Sequence, residues 1–127
     1  MIVETNISFV EQIDYGIIKV VTKKNITPDK KDLEENLRVY REKFGVTKGL
    51  FLVVFEEGGI LKNSTRDAFL SKERAEMKIA EAIVVKSIPH RIESNFVKRI
   101  LKPQYPFQIF GNEEKALAWL LTFKNPK

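Results

Sequence analysis

Apolar and polar positions in this chain fall into short blocks whose period changes along its length. Val3, Thr5, Ile7 and Phe9 alternate with Glu4, Asn6 and Ser8, the period of a half-buried strand. Glu11 to Asp14 is polar apart from Ile13 and marks a turn. Tyr15 to Thr22, rich in Ile and Val, reads as a second strand, antiparallel to the first because the connection is short. Thr27-Pro28-Asp29 has the form of a helix start: a threonine cap, proline at the first helical position and an acid in the first turn. Leu33, Leu37, Tyr40 and Phe44 then recur at helical spacing, and Gly45 sits where the helix should stop. Leu50 to Phe55 is apolar at every position, which predicts a central strand covered on both faces.

Glu56-Glu57-Gly58-Gly59 interrupts this pattern. Ser64 to Leu70 and Lys72 to Ile79 each read as a short helix, and Ala82-Ile83-Val84-Val85 as a strand. Ser87-Ile88-Pro89 opens a basic amphipathic helix that ends near Lys102-Pro103. Pro106 to Phe110 is a further short strand, and Gly111-Asn112 starts a closing helix from Glu113 to Phe123. Strands that alternate with helices predict an α/β domain with a largely parallel sheet. The expected order is β-β-α-β-α-β-α-β-α: five strands in a sheet of mixed direction, with about four helices mainly on one side. The first strand has one polar side and suits a sheet edge, where it could pair with a second copy.

Composition narrows the class. With 127 residues, 43% of them hydrophobic, residues 1–127 form one domain large enough for a real core. There is no run of about twenty apolar residues, so no membrane span is expected. Met1-Ile2-Val3-Glu4 lacks the basic and apolar regions of a secretory signal. Cysteine is absent, which excludes disulfides, thiol nucleophiles and cysteine metal sites and fits a cytoplasmic protein. His90 is the sole histidine, so paired-histidine chemistry is excluded too. The net charge is +5, and all of the excess lies in residues 64–127.

The element order resembles the STAS-like (SpoIIAA-like) fold of anti-sigma-factor antagonists and sulphate-transporter tails. The C-terminal stretch is similar to a group of small uncharacterised bacterial proteins of that superfamily. The residues that carry this are Ala82-Ile83-Val84-Val85, Arg91, Asn95-Phe96, Lys102-Pro103, Pro106, Phe110, and Glu113-Glu114-Lys115-Ala116-Leu117-Ala118-Trp119-Leu120. What the resemblance implies is a regulatory or protein-interaction module without chemistry of its own. In the antagonists a serine after the central strand, at a helix start, is phosphorylated by a partner kinase. The corresponding region here is Asn63-Ser64-Thr65-Arg66-Asp67, which lacks their Asp-Ser-Ser-Gly-like signature.

Ser64 and Thr65 are therefore the candidate phospho-switch, where a phosphate could sit at a helix N-terminus. A plain N-cap is the more ordinary role for either. In the basic helix, Arg91, Asn95, Lys98 and Lys102 form a stripe with Arg99 beside it. With Arg66 and Asp67 these residues make the candidate interaction surface, suited to an acidic protein partner. A solvated face is the simpler account of the stripe. Nucleic acid is disfavoured because no aromatic residues lie among the basic ones. Glu56, Glu57 and Asp67 could in principle ligate magnesium, but a solvated loop explains the glutamates better. No catalytic cluster, phosphate-cradling glycine motif or metal-ligand spacing occurs, so neither catalysis nor a cofactor is expected.

Trp119, Leu120 and Phe123 recur at helical spacing with Ala116 and read as core. Left partly exposed, they would suit a dimer contact or a pocket for an apolar or lipid ligand. Three readings follow: a non-enzymatic regulatory or interaction module of the bacterial cytoplasm, a carrier of a small apolar ligand, and, more weakly, a nucleic-acid binder through residues 89–102.

Overall fold

The computed structural model describes residues 1–58, 65–69, 71–85 and 104–124, without the side chains of Arg66 and Phe69. The first expected strand is in fact two pieces. β1 (Ile2–Glu4) and β2 (Ser8–Gln12) pair antiparallel, with Ile2 opposite Glu11 and Glu4 opposite Phe9. A turn at Thr5 separates them. The Thr5 hydroxyl accepts from the Ser8 amide at 3.0 Å and lies 2.9 Å from the Ser8 hydroxyl, while the Thr5 amide donates to the Ser8 carbonyl at 2.8 Å. Thr5 thus ends β1 although the alternation continues through it, and Phe9 faces solvent while Ser8 and Val10 are buried.

β2 extends to Gln12, and a 3-10 turn at Asp14–Gly16 leads into β3 (Ile18–Thr22), antiparallel to β2. Tyr15 and Gly16 in that turn have φ of 65° and 74°, the left-handed region that a tight reversal needs. α1 (Lys30–Phe44) starts two residues later than the Thr-Pro pair suggests. Asp29 is its cap, accepting from the Asp32 amide at 3.1 Å while its own amide donates to the Asp32 carboxylate at 3.0 Å. Gly45, at φ 66°, ends the helix as expected, with its N–H on the Arg41 carbonyl.

β4 (Gly49–Phe55) runs parallel to β3. α2 (Arg66–Phe69) and α3 (Lys72–Met77) then lead to β5 (Lys78–Val85), parallel to β4. The second of the expected short helices ends at Met77, because Lys78 and Ile79 already belong to β5. Pairing between β4 and β5 slips there: Gly49 opposes Lys78, but the next residue, Leu50, opposes Ala80. Ile79 is therefore the extra residue of a β-bulge. β6 (Phe107–Phe110) lies parallel to β5, and α4 (Glu113–Leu121), capped by Asn112, closes the described fold.

Among the described residues the sheet has six strands in the order β1-β2-β3-β4-β5-β6, one more than expected, and its direction is mixed as expected. The helices do not keep to one side. Leu37 and Tyr40 of α1 and Met77 of α3 pack with Val10, Ile18, Val20 and Phe51 on one face. Ala116 and Leu120 of α4 pack with Leu50, Leu52, Val54, Ala80, Ala82 and Val84 on the other. The physical reason is β4, whose uninterrupted apolar run gives both faces something to bury. The basic helix expected over 89–102 lies outside the described residues.

Candidate functional site

Of the residues singled out in the sequence, Ser64, Arg91, Asn95, Lys98, Arg99 and Lys102 lie outside the described residues. Thr65 is 1% exposed, and its hydroxyl donates to the Pro28 carbonyl at 2.9 Å, tying the segment before α2 to the chain entering α1. In this conformation the Thr65 hydroxyl is covered and engaged. Arg66 opens α2, and Asp67 in its first turn is exposed. No group of three or more His, Asp or Glu with the arrangement of a metal site occurs among the described residues. Ala116 and Leu120 are core, as expected, and Trp119 packs tilted against Phe110 and edge-to-face with Phe123 at centroid distances of 5.7 and 4.9 Å.

The chemistry that the structure gathers lies elsewhere. Arg74 on α3 and Lys78 and Glu81 on β5 are all buried on the α1 face of the sheet. Lys78 Nζ donates to Glu81 Oε2 at 2.8 Å and Arg74 Nη2 to the same oxygen at 3.3 Å. Tyr105, just ahead of β6, donates its hydroxyl to Glu81 Oε1 at 2.9 Å. The Lys78 ammonium position lies 3.8 Å from the Phe51 ring centroid and 5.7 Å from that of Tyr40. The bulge at Ile79 makes this possible. Residues three apart on a regular strand point to opposite faces, and the extra residue brings Lys78 onto the side of Glu81.

The electrostatics follow from burial and neighbours. Burial pushes the Glu81 carboxyl up, but the Lys78 and Arg74 cations and the hydrogen bonds from Lys78 and Tyr105 outweigh it, holding the group below the ordinary carboxylate range. Burial and the positive charge of Arg74 pull Lys78 down to about 7 against the attraction of Glu81. Burial lowers Arg74, and the Glu81 carboxylate more than restores it, with a net upward shift. Burial pushes Tyr40 up to about 12, and burial with the Glu81 charge pushes Tyr105 up as well. These partners can tie α3, β5 and the entry to β6 together.

A second polar group joins α1 to the first hairpin. Asn36 donates to the Ser8 hydroxyl at 3.1 Å, and Asn6 donates its side chain to Asp32 at 2.6 Å and its amide to Glu35 at 2.9 Å. On the solvent side, Arg41 and Glu73 form an ion pair at a depression of 190 Å³ lined also by Glu34, Leu37 and Arg38. Ile2 and Phe9, on the sheet face away from α1, are exposed. Sequence reading missed the buried cluster because Arg74, Lys78 and Glu81 look like a solvated charge run. The available signal was their nearness to Met77, Ala80 and Ala82, apolar neighbours that a surface loop would not require.

A family model described as "Domain of unknown function (DUF7793)" matches residues 12–124. Among solved structures, the chain is similar to an uncharacterized protein from the DUF3478 family with a SpoIIAA-like fold, from Shewanella loihica PV-4. The TM-score is 0.61 and the identity 16%, with 93% of this chain and 98% of that chain covered. None of the curated proteins compared with the chain matches it. At that identity the likeness concerns the fold, and it bears out the SpoIIAA-like architecture that the sequence resembles.

Proposed function

We propose that this chain, which belongs to the DUF7793 family of domains of unknown function, is a non-enzymatic regulatory module that works by binding a protein partner. One observation carries the reading. The ionisable groups that could do chemistry, Arg74, Lys78 and Glu81, are turned inward and engage one another, while Ile2 and Phe9 stand exposed on an uncovered part of the sheet beside its β1 edge. Buried charges that engage one another hold a fold together, whereas exposed apolar residues at a sheet edge suit recognition.

The module acts in the bacterial cytoplasm, and the basic residues between Arg91 and Lys102, with Arg66 and Asp67, extend the contact surface toward an acidic partner. A homodimer through β1 is the alternative use of the same edge. With the Thr65 hydroxyl buried, Ser64 is the residue left to carry a phosphate. The carrier reading draws no support from α4, whose inner side is filled by Ala116 and Leu120 against the sheet.

Native mass spectrometry of the tagged protein from its own cells, with peptide mapping, tests this. A stoichiometric protein partner, retained by the wild type and lost from a Phe9→Asp, Ile2→Asp variant of unchanged fold, is the expected result. Steady turnover of any substrate, abolished by one point change, would sink the proposal, and a co-purified small apolar molecule would favour the carrier.

A further inference from the structure

Lys78 is an uncommon lysine. Its side chain is wholly buried, and among the described residues its three N–H groups meet one hydrogen-bond acceptor, Glu81 Oε2, which Arg74 also contacts. Its other close neighbours are ring faces, Phe51 from β4 and Tyr40 from α1. Among the described residues, the charged and titratable groups that face it are Arg74 from α3, Glu81 from its own strand and Tyr40 from α1. Tyr105 joins through the second oxygen of Glu81. Arg74 keeps its charge throughout the accessible pH range, so Lys78 is the cation of this pair that can give up its proton.

We propose that Lys78 is a proton-controlled latch between the body of the sheet and its β6 edge: as the amine it lets Glu81 hold Tyr105, and as the ammonium it loosens that hold. With Lys78 protonated, two cations crowd one carboxylate oxygen in a buried site, and among the described residues two ammonium N–H groups have only aromatic faces to meet. Drawing water or Glu81 toward the ammonium relieves both problems and weakens the bond from Tyr105. When the ammonium releases its proton to solvent, the remaining amine still donates to Glu81, the Arg74–Glu81 pair becomes electrically balanced, and Tyr105 keeps its acceptor. The depression of the Lys78 pKa to about 7 puts this exchange near neutrality. Among the described residues β6 pairs with β5 alone, so a change at Tyr105 reaches an element with one described strand neighbour.

The test uses the full chain labelled with ¹³C-lysine. The Lys78 Cε resonance is followed from about pH 5.5 to about pH 10, alongside hydrogen exchange of the Phe107–Phe110 amides corrected for intrinsic rates. The expected result is a Lys78 midpoint between about pH 6 and pH 8, with β6 protection rising about tenfold through the same interval. Lys78→Met should show β6 protection that does not change with pH. A Lys78 midpoint above about pH 9, or β6 protection indifferent to its titration, would overturn the proposal. Both measurements are made on the wild type, so they decide the matter even if Lys78→Met does not fold.

Discussion

The two faces of the sheet are stabilised by different physics. Beneath α4, among the described residues, the core is the apolar cluster of Ile17, Leu50, Leu52, Val54, Ala80, Ala82, Val84, Ala116 and Leu120. Beneath α1 and α3, Val10, Ile18, Val20, Leu37 and Phe51 share the interior with Asn36, Arg74, Lys78 and Glu81. The first face gains from area removed from water and tolerates imperfect geometry. The second depends on particular bonds, because a buried charge that loses its partner is strongly destabilising. Strand β5 serves both, presenting Ala80, Ala82 and Val84 to one side and Glu81 to the other.

This contrast can be broken most sharply at Glu81. Glu81→Gln leaves Arg74 and Lys78 around a neutral amide and should cost about 3–5 kcal/mol in urea unfolding. Leu120→Ala, its counterpart on the apolar face, should cost about 2–4 kcal/mol through lost burial and the cavity left behind.

The pH dependence separates the faces further. The lowered Glu81 contributes stability that is present above the ordinary carboxylate range and is lost on acidification through its folded value. For the lowered Lys78, the unfolded chain binds a proton that the folded chain does not, between about 7 and the ordinary lysine value. Stability should therefore rise by up to roughly 2–3 kcal/mol between about pH 7 and pH 9, and be lost as pH falls back through that interval. The raised Tyr40 contributes below the ordinary tyrosine range, and that contribution is lost as pH climbs toward about 12. Leu120→Ala should shift this profile down without changing its shape, as thermal melts across pH would show. The smallest effect belongs to Tyr105→Phe, which removes one hydrogen bond to a charged acceptor and should cost about 1.5 kcal/mol.

The apolar face was largely legible in the sequence. The unbroken run of Leu50–Phe55, the spacing of Ala116 and Leu120, and Asn112 ahead of α4 all mean what periodicity suggests. On the other face, Leu33, Leu37, Tyr40 and Gly45 placed α1 equally well. The errors fall where a side chain does something periodicity does not encode. Thr5 folds its hydroxyl onto Ser8 and ends a strand that the alternation continues. Lys78 and Glu81 interrupt an apolar run without leaving the sheet, so β5 begins four residues before Ala82. The candidate site was illegible for a related reason. Whether a charge is solvated or buried depends on the partners brought to it, and Tyr105, Tyr40 and Phe51 reach Lys78 and Glu81 from three separate places in the chain.

The extra residue at Ile79 makes the interior sensitive to chain length as well as to composition. Deleting Ile79 would leave every charged residue in the sequence and restore plain alternation between Gly49 and Leu50 opposite β5. Lys78 would then stand two residues from Glu81 and still share its face of the sheet, whereas flattening the bulge with Ile79 kept would turn Lys78 to the apolar side, away from Glu81 and the rings of Phe51 and Tyr40. A spacing of three between the lysine and the glutamate therefore requires the bulge, and a spacing of two does without it.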